Sequence, residues 1–522
     1  MLQTKTILNA LPNSLETIDL KNAGKKLQGK VRDFYIQKSS RIIITTDRQS
    51  AFDVNLGVIP FKGAVLNLLA AFWFSKTKHI ISNHIIALPD PNVTLAKNLI
   101  PIPIEMIVRG YMSGVTKTSI WYSYQKGERK IYGITFPNNL KKNDKLPTPV
   151  ITPTTHGGGK DGHDERLTKK EILDRKLIDK KTYEHMEKAS LALFMFGSTL
   201  AEKKGLILVD TKYEFGLDEK GKLTLMDEMH TPDSSRFWIK KTYKDRFRTG
   251  QEPENFDKEF LRLWYKKQGY TGDGTPPKMT PILIQQVSKR YKEIFQKITG
   301  EKLSIPKKPI MQRIKKNIKT YFSKKHLAVL ISNGGVGTNL QAIIDAIEQK
   351  KLNAAIAIVI SDNDDAYGLE RAKKHNIART ISHIKEDLLN ILQEYDIDYI
   401  CLAGWKQFIA QDVMDTYKNR ILNLHPGLIP NTITGMVKNP DGTAGLWNRK
   451  KLQNNALQNF LENNATYAGS SIHFLSAEVD FGKILGRCFE KIHPGDTIDS
   501  LYTRLKKKEN KLYVDVLKKL PK

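Results

Sequence analysis

The sequence predicts two domains of different class: an α+β front half built around an antiparallel hairpin, and an α/β back half with a doubly wound parallel sheet. Three observations carry this. A chain of 522 residues is too long for one compact core. Near its middle, Val209–Gly216 and Leu223–Met229 alternate like two strands joined by a short turn. From His326 onward, uninterrupted apolar strands alternate with helical stretches, the pattern of a parallel sheet.

Ile104-Glu-Met-Ile-Val108 reads as a buried strand leading into Arg109. In the hairpin, Asp210, Lys212 and Glu214 share one face, because successive side chains of a strand point to opposite sides. A turn centred on Lys220-Gly221 sets Glu214 directly across from Asp227, two carboxylates about 4.5–5.5 Å apart that repel. Either a divalent cation relieves this, with oxygen-only ligands that suit Mg2+, or the acidic pair is simply tolerated on a solvated sheet face. Lys212, between them, is either a point charge for a phosphate or carboxylate, or an ion-pair partner of Glu214 or Asp210. Thr231-Pro-Asp-Ser-Ser-Arg-Phe-Trp238 then supplies hydroxyls with one guanidinium, which is anion-binding chemistry.

After a helical pattern over residues 279–298, Glu301–Pro309 reads as a linker. Ile310, Ile314, Ile318 and Phe322 recur every four residues among basic neighbours, as on a short amphipathic helix that docks against one of the domains. The expected division is therefore residues 1–300, a basic linker at 301–324, and residues 325–522. In the back half, His326–Ser332 and Ala354–Ser361 read as strands around a helix from about Asn339, and Tyr399–Ala403 follows the helix of residues 385–395. Ser332-Asn-Gly-Gly-Val-Gly-Thr-Asn339 is a glycine-rich turn that opens the helix and offers free N–H groups to a phosphate.

The net charge of +29 is unevenly spread, with 26 basic and 22 acidic side chains in residues 325–522 but 58 and 33 in the rest. A basic front half suits anionic substrates. Neither an interleaved aromatic platform nor a known binding module accompanies the charge, so no nucleic acid partner is expected. No stretch approaches the roughly 20 apolar residues of a membrane span, and no signal peptide opens the chain, so no membrane partner and a cytoplasmic location are expected. Two cysteines, Cys401 and Cys488, are too few for a disulfide framework.

Asp210–Gly216, Asp227-Glu228 and Thr231–Arg236 resemble signature blocks of phosphoribosylaminoimidazole-succinocarboxamide (SAICAR) synthetase. Gly29-Lys-Val-Arg-Asp33, Thr46-Asp-Arg-Gln-Ser-Ala-Phe-Asp53 and Val108-Arg-Gly-Tyr111 agree in order and spacing. The resemblance covers residues 1–300 and implies a two-lobed, ATP-grasp-like or kinase-like ligase. It implies that ATP activates carboxyaminoimidazole ribotide as an acyl phosphate, which the amine of aspartate attacks. It assigns Gly29, Lys30, Val31 and Arg32 to the nucleotide, and Arg109, Asp210, Asp233, Ser234 and Arg236 to the ribotide. Lys212 joins the catalytic set, and Glu214 and Asp227 hold Mg2+. Two departures stand out. His156 replaces the usual Lys in Thr152–Glu165, where Lys160 is a substitute and the loop reads as an anion loop rather than a zinc site of His156, His163 and Asp164. Gly114-Val115 replaces Gly-Ser, with Ser113 able to supply the missing hydroxyl.

In the back half, the glycine turn, Ser361–Ala372, Asn423-Leu-His-Pro426 and Gly469–Phe474 with Asp480 resemble phosphoribosylglycinamide (GAR) formyltransferase. The resemblance implies formyl transfer from 10-formyltetrahydrofolate to glycinamide ribonucleotide, with Asn423, His425 and Asp480 catalytic. Gly335, Gly337, Thr338, Asn339 and His473 would bind the substrate. Asn423 and His425 are one residue apart, so on a strand end they face the same way and hydrogen-bond a developing oxyanion. Asp480 favours the charged form of His425 and orders a water that relays protons. Residues 427–460, with Trp447-Asn-Arg449, form an enlarged loop, and Trp405–Phe408 differs from the folate-contacting segment. The alternatives are a formyltransferase acting on another amine or an inactive scaffold, and for the front half a kinase-like phosphotransferase.

Overall fold

The computed structural model describes residues 7–52, 54–156, 164–256, 258–272, 274–304, 308–333, 337–383 and 387–522. The chain forms two compact units, one ending at Ile318 and the other beginning at Lys319.

The front unit holds two main sheets. One is antiparallel, in the order β1 (Lys25–Gln28), β2 (Arg32–Ile36), β3 (Ser40–Thr45), β5 (Val93–Lys97) and β4 (Ile85–Asp90). The other is built on two strands of 12 residues each, β6 (Ile100–Tyr111) and β8 (Leu206–Leu217). β7 (Lys145–Ile151) flanks β6, while β9 (Leu223–Met226) and β10 (Ser235–Ile239) pair along β8. Alternation along β6 and β8 sends Ile104, Met106, Val108, Tyr213 and Phe215 into one core with helices α1 (Lys62–Lys76), α2 (Lys180–Lys203) and α4 (Pro281–Thr299). Between α2 and α4 lies a shorter helix, α3 (Glu259–Lys267).

Local chemistry fixes α4 at both ends. The Thr280 side chain accepts from the Leu283 N–H, Pro281 takes the first turn, and Gly300 ends the helix in the left-handed region at φ 80°. Its face of Leu283, Val287, Tyr291, Ile294 and Ile298 is buried, worth roughly 1.5–3 kcal/mol for each large apolar side chain.

One expectation changes here. The β8–β9 connection is five residues long, Asp218–Lys222, so Glu214 pairs with Met226 rather than Asp227. The Asp218 carboxylate causes this by accepting from the N–H groups of Lys220 and Lys222 at 3.0 and 2.8 Å, which wraps an odd-length loop around itself. Within the basic stretch 301–324 the expected amphipathic helix is present. Residues from Ile310 to Ser323 form helix α5, with Ile314 and Ile318 buried, and its first half belongs to the front unit. Buried Arg313 there donates to both oxygens of Asp90, at 2.9 and 3.0 Å.

The back unit is one seven-stranded sheet in the order β13 (Arg379–Ile381), β12 (Ala354–Ser361), β11 (Lys325–Ile331), β14 (Tyr399–Leu402), β15 (Ile421–His425), β16 (Tyr467–Phe474) and β17 (Ile484–Lys491). The first five strands are parallel and the last two antiparallel. Leu327, Val329 and Ile331 pack on one side with α6 (Thr338–Glu348) and α7 (Ile498–Lys519), whereas Ala328 and Leu330 join a separate cluster. Apolar residues on both faces of β11 explain its unbroken hydrophobic run. Ile331 and His425 end the parallel strands β11 and β15 at the same edge of the sheet.

Candidate functional site

In the front unit, β8 runs between β6 and β10, and the register sets Asp210 opposite Arg109 on one side and Arg236 on the other. Both guanidinium groups reach the same carboxylate, Arg236 at 2.7 Å and Arg109 at 3.5 Å. Arg109 also donates to Thr152 Oγ1 at 2.8 Å and to the Thr118 carbonyl at 3.1 Å, which fixes its plane. Two guanidinium groups sharing one carboxylate leave positive charge in the cleft that Lys212, Asp233 and Ser234 also line.

Asp233 is built into the cleft wall. Its carboxylate accepts from Lys62 at 2.8 Å, Lys258 at 2.9 Å and Tyr291 at 2.5 Å. Burial works to raise this carboxyl, but Lys258 and Lys62 hold it well below the usual range. Ser234 Oγ accepts from the Thr231 N–H at 3.2 Å, so the loop is tied to itself. Ser113 is buried and donates to Asn143 Oδ1 at 3.1 Å. Gly114, at φ +100°, lets the chain pass Arg236, where a Cβ would lie 3.0 Å from Nη1.

Next to this cleft is an acidic cluster. The carboxylate that faces Glu214 across the sheet is Glu105 on β6. Lys212 Nζ donates to Glu105 at 3.0 Å, contacts Glu214 more closely and lies 3.9 Å from Asp227. The ion-pair reading of Lys212 thus describes its geometry. Burial opposes its charge, yet Glu214 and Glu105 keep its ammonium well above the ordinary lysine range. His156 Nδ1 is 3.1 Å from Glu105 and 3.8 Å from Glu214. Burial would raise the Glu105 carboxyl, but the His156 hydrogen bond and Lys212 bring it down to about 2. In return, donating to the Glu105 carboxylate raises His156. One ligand atom from each of Glu105, His156 and Glu214 lies within 4.8 Å of the others. His163 and Lys160 lie outside the described residues, so this cluster takes no account of them.

Asp227 leaves β9 with left-handed backbone at φ 64° and meets Arg32 at 2.7 Å, while Arg32 reaches Glu228 at 3.1 Å. Arg32 is therefore tied to this acidic pair. Gly29, Lys30 and Val31 form the turn between β1 and β2. Buried Arg48 supports it from below, donating to the Gly29 and Lys30 carbonyls at 3.0 and 3.1 Å.

In the back unit, Asn423 and His425 lie on β15 as the alternation requires. Asn423 Nδ2 donates to His473 Nε2 at 3.2 Å, and His473 Nδ1 donates to the Phe474 carbonyl at 3.0 Å. Burial lowers His473 to about 4, which suits this neutral tautomer. His425 Nδ1 is 3.3 Å from Asp480, and its Nε2 is 2.7 Å from the Trp447 carbonyl. Asp480 in turn accepts from the Lys450 N–H at 2.7 Å. Burial would raise Asp480, but His425 holds its carboxyl low. Gly337, at φ +65°, precedes α6. The Thr338 hydroxyl and Asn339 Oδ1 are buried without a partner among the described residues, as acceptors and donors kept for a ligand would be. Gly335 lies outside the described residues.

Lys62, Lys258 and Tyr291 around Asp233 were not singled out from the sequence, nor were Glu105 and the Trp447 carbonyl. Glu105 was legible in principle, since it is four residues from Arg109 and shares its strand face. The Trp447 carbonyl was not, because no side-chain pattern marks a backbone oxygen.

Residues 25–277 match the family model for SAICAR synthetase, and residues 325–517 match that for Formyl transferase. A phosphoribosylaminoimidazole-succinocarboxamide synthase of Legionella pneumophila is 47% identical over 301 residues, covering 57% of this chain and 96% of that relative. The chain belongs to the SAICAR synthetase family. A chloroplastic relative from Arabidopsis thaliana is 43% identical over 319 residues, 60% of this chain and 77% of that one. A solved phosphoribosylglycinamide formyltransferase of Coxiella burnetii is 32% identical and covers 37% of this chain and 86% of its own, with a TM-score of 0.31. The two family matches in tandem make the chain a two-domain fusion, a bifunctional enzyme of purine biosynthesis with a ligase segment and a formyltransferase segment. They do not favour a scaffold role for the back half. No helix among the described residues is long and apolar enough to cross a membrane.

Proposed function

We propose that the front unit ligates aspartate to carboxyaminoimidazole ribotide with ATP, and that the back unit transfers a formyl group from 10-formyltetrahydrofolate to glycinamide ribonucleotide. The observation that carries the first assignment is the pair of arginines converging on Asp210 in a cationic cleft. Arg109 and Arg236 orient the anionic ribotide, and Asp210 keeps both forks aimed while they wait for it. Asp233 and Ser234 hold the loop that carries Arg236.

Glu105, Glu214 and Asp227 offer the hard oxygen donors that suit Mg2+, with His156 beside them. When bound there, the ion neutralises phosphate charge during transfer. Lys212 keeps these carboxylates together in its absence and presents an ammonium to the same region. The Gly29–Val31 turn, braced by Arg48, is the covering loop for the nucleotide, and Lys30 supplies its charge. Arg32 orients Asp227. We assign this unit to the two-lobed, ATP-grasp-like or kinase-like class and the back unit to the doubly wound class. Cytoplasmic residence is part of the same proposal.

For formyl transfer, Asn423 and His425 stand at one strand end, where donors are placed to stabilise the oxyanion of a tetrahedral intermediate. Asp480 holds the His425 ring in place, and His473 fixes the Asn423 amide. Thr338 and Asn339 at the start of α6 receive the acceptor phosphate together with Gly335 and Gly337. Assaying the purified chain with each substrate set tests both halves. Glu214→Gln and Asp227→Asn are expected to abolish ligation while formyl transfer persists, and His425→Ala to do the reverse. Undiminished turnover in these variants would overturn the assignment.

A further inference from the structure

The enlarged segment that follows His425 is more tightly built than a solvated loop needs to be. The Trp447 carbonyl accepts from His425 Nε2 at 2.7 Å, and the indole Nε1 of the same residue donates to the Asp480 carbonyl at 3.0 Å. The Lys450 N–H donates to the Asp480 carboxylate at 2.7 Å. Between them, Arg449 Nε donates to the Val479 carbonyl at 3.2 Å, and its guanidinium pairs with Glu478. The Trp447 and Phe481 rings pack with centroids 5.8 Å apart. The segment is itself pinned from behind. Buried Asn448 donates to the carbonyls of Pro426 and Ala456, both at 3.2 Å, and accepts from Asn459 at 2.8 Å. Asn448 and Lys450 hold left-handed backbone at φ 55° and 64°, as does Asp480 at φ 52°. Such conformations cost a non-glycine residue energy and persist where the surroundings fix them.

From these contacts we infer that Trp447 is a positioning residue for formyl transfer, and that Trp447–Lys450 is a brace that sets Asp480 against His425. The inference rests on the formyltransferase reading and deepens it. His425 ends β15 and is fixed by strand pairing, whereas Asp480 lies between β16 and β17, where no ladder holds the chain. The brace supplies what the ladder does not. The indole donor fixes the main chain at Asp480, the Lys450 N–H fixes its carboxylate, and Arg449 holds the two residues before it. Through its carbonyl, Trp447 also limits rotation of the His425 ring, so one residue touches both members of the pair. His425 Nδ1 thereby stays 3.3 Å from the Asp480 carboxylate. Proton relay through such a pair depends on alignment, and a misplacement of about 1 Å costs on the order of a hundredfold in rate.

Trp447→Phe in the full chain tests this, because it keeps an aromatic ring and the backbone carbonyl but removes the indole donor to Asp480. The kcat for formyl transfer is expected to fall about three- to tenfold, the net worth of one hydrogen bond expressed as a rate, with each KM changing by less than about twofold. Arg449→Met should act in the same direction, and Arg449→Lys should recover part of its loss. Ligase turnover in the same chain controls for folding. Nitrogen-15 shifts of the His425 ring, assigned by their absence in His425→Ala, give a readout independent of turnover, and they should move in Trp447→Phe as Asp480 leaves its place at Nδ1. A kcat within about twofold of the parent, or unmoved His425 ring shifts, would overturn the inference. A parent without formyl transfer would instead defeat the formyltransferase reading, and the ring shifts would then decide the brace alone.

Discussion

Replacing Gly427 with alanine probes how the enlarged loop meets the formyltransferase site. A Cβ built at 427 falls 1.8 Å from the Trp447 carbonyl oxygen and 2.8 Å from His425 Nε2, so the oxygen and the methyl must separate by about 1.6 Å to reach the 3.4 Å of ordinary contact. Both obstacles are the two ends of one 2.7 Å hydrogen bond. Neither is a flexible side-chain tip, because one is backbone and the other ring is buried and held by Asp480. Overpacking of this kind costs about 1–3 kcal/mol. If that strain falls on the orientation of His425, formyl transfer drops about five- to 150-fold. The assay is kcat/KM for formyl transfer, with ligase turnover as the internal control. Formyl transfer within twofold of the parent would refute the claim that the Trp447 carbonyl helps to set His425.

Three further outcomes are expected. Arg313→Met leaves Asp90 charged and buried, and should destabilise the front unit by about 3–5 kcal/mol in urea unfolding, with Asp90→Asn in the same chain recovering part; a change under about 1 kcal/mol contradicts the docking of α5. Burial lowers His84 to about 4 and His230 to about 3, so their folded values lie below the unfolded one near 6.5. The unfolded chain then binds protons first as pH falls, and stability present above pH 6.5 is lost below it. At pH 5 each histidine has removed about 2 kcal/mol, so together they should lower the unfolding free energy of the front unit by about 4 kcal/mol between pH 7 and pH 5, and the same pH dependence in a His84→Gln/His230→Gln variant would contradict their burial as neutral rings. Glu105→Gln removes the carboxylate facing Glu214 and should lower ligase kcat about tenfold or more while raising the Mg2+ concentration needed for half-maximal rate; an unaltered Mg2+ dependence would exclude Glu105 from the site.

What the sequence made legible follows the range of the interactions involved. The period-two pattern found β8 and the shared face of Lys212 and Glu214, because alternation is a property of one strand. Register depends on the loop, and there the pattern failed. A turn centred on Lys220-Gly221 looks even-numbered until the Asp218 carboxylate is allowed to accept from two N–H groups, which adds a residue and moves Asp227 past the end of the pairing. Arg313 was equally hidden, since its partner Asp90 is more than two hundred positions away and nothing local distinguishes it from the solvated lysines around it.

The same reasoning explains why the motifs named side chains that the fold gathers but not how those side chains are wired. Asp210 and Asp233 were read as groups for substrate, yet each is already paired with cations of the protein, whereas the expected pairing of Asp480 with His425 is present. A carboxylate in a cleft full of bases cannot stay unpaired without a large desolvation penalty, so the chain supplies an internal counter-ion that aims the basic partner before any ligand arrives. Signature acids in such a site therefore act first by orienting arginine, lysine or histidine. Neutralising one of them should misdirect its basic neighbour, a loss that added substrate cannot repair.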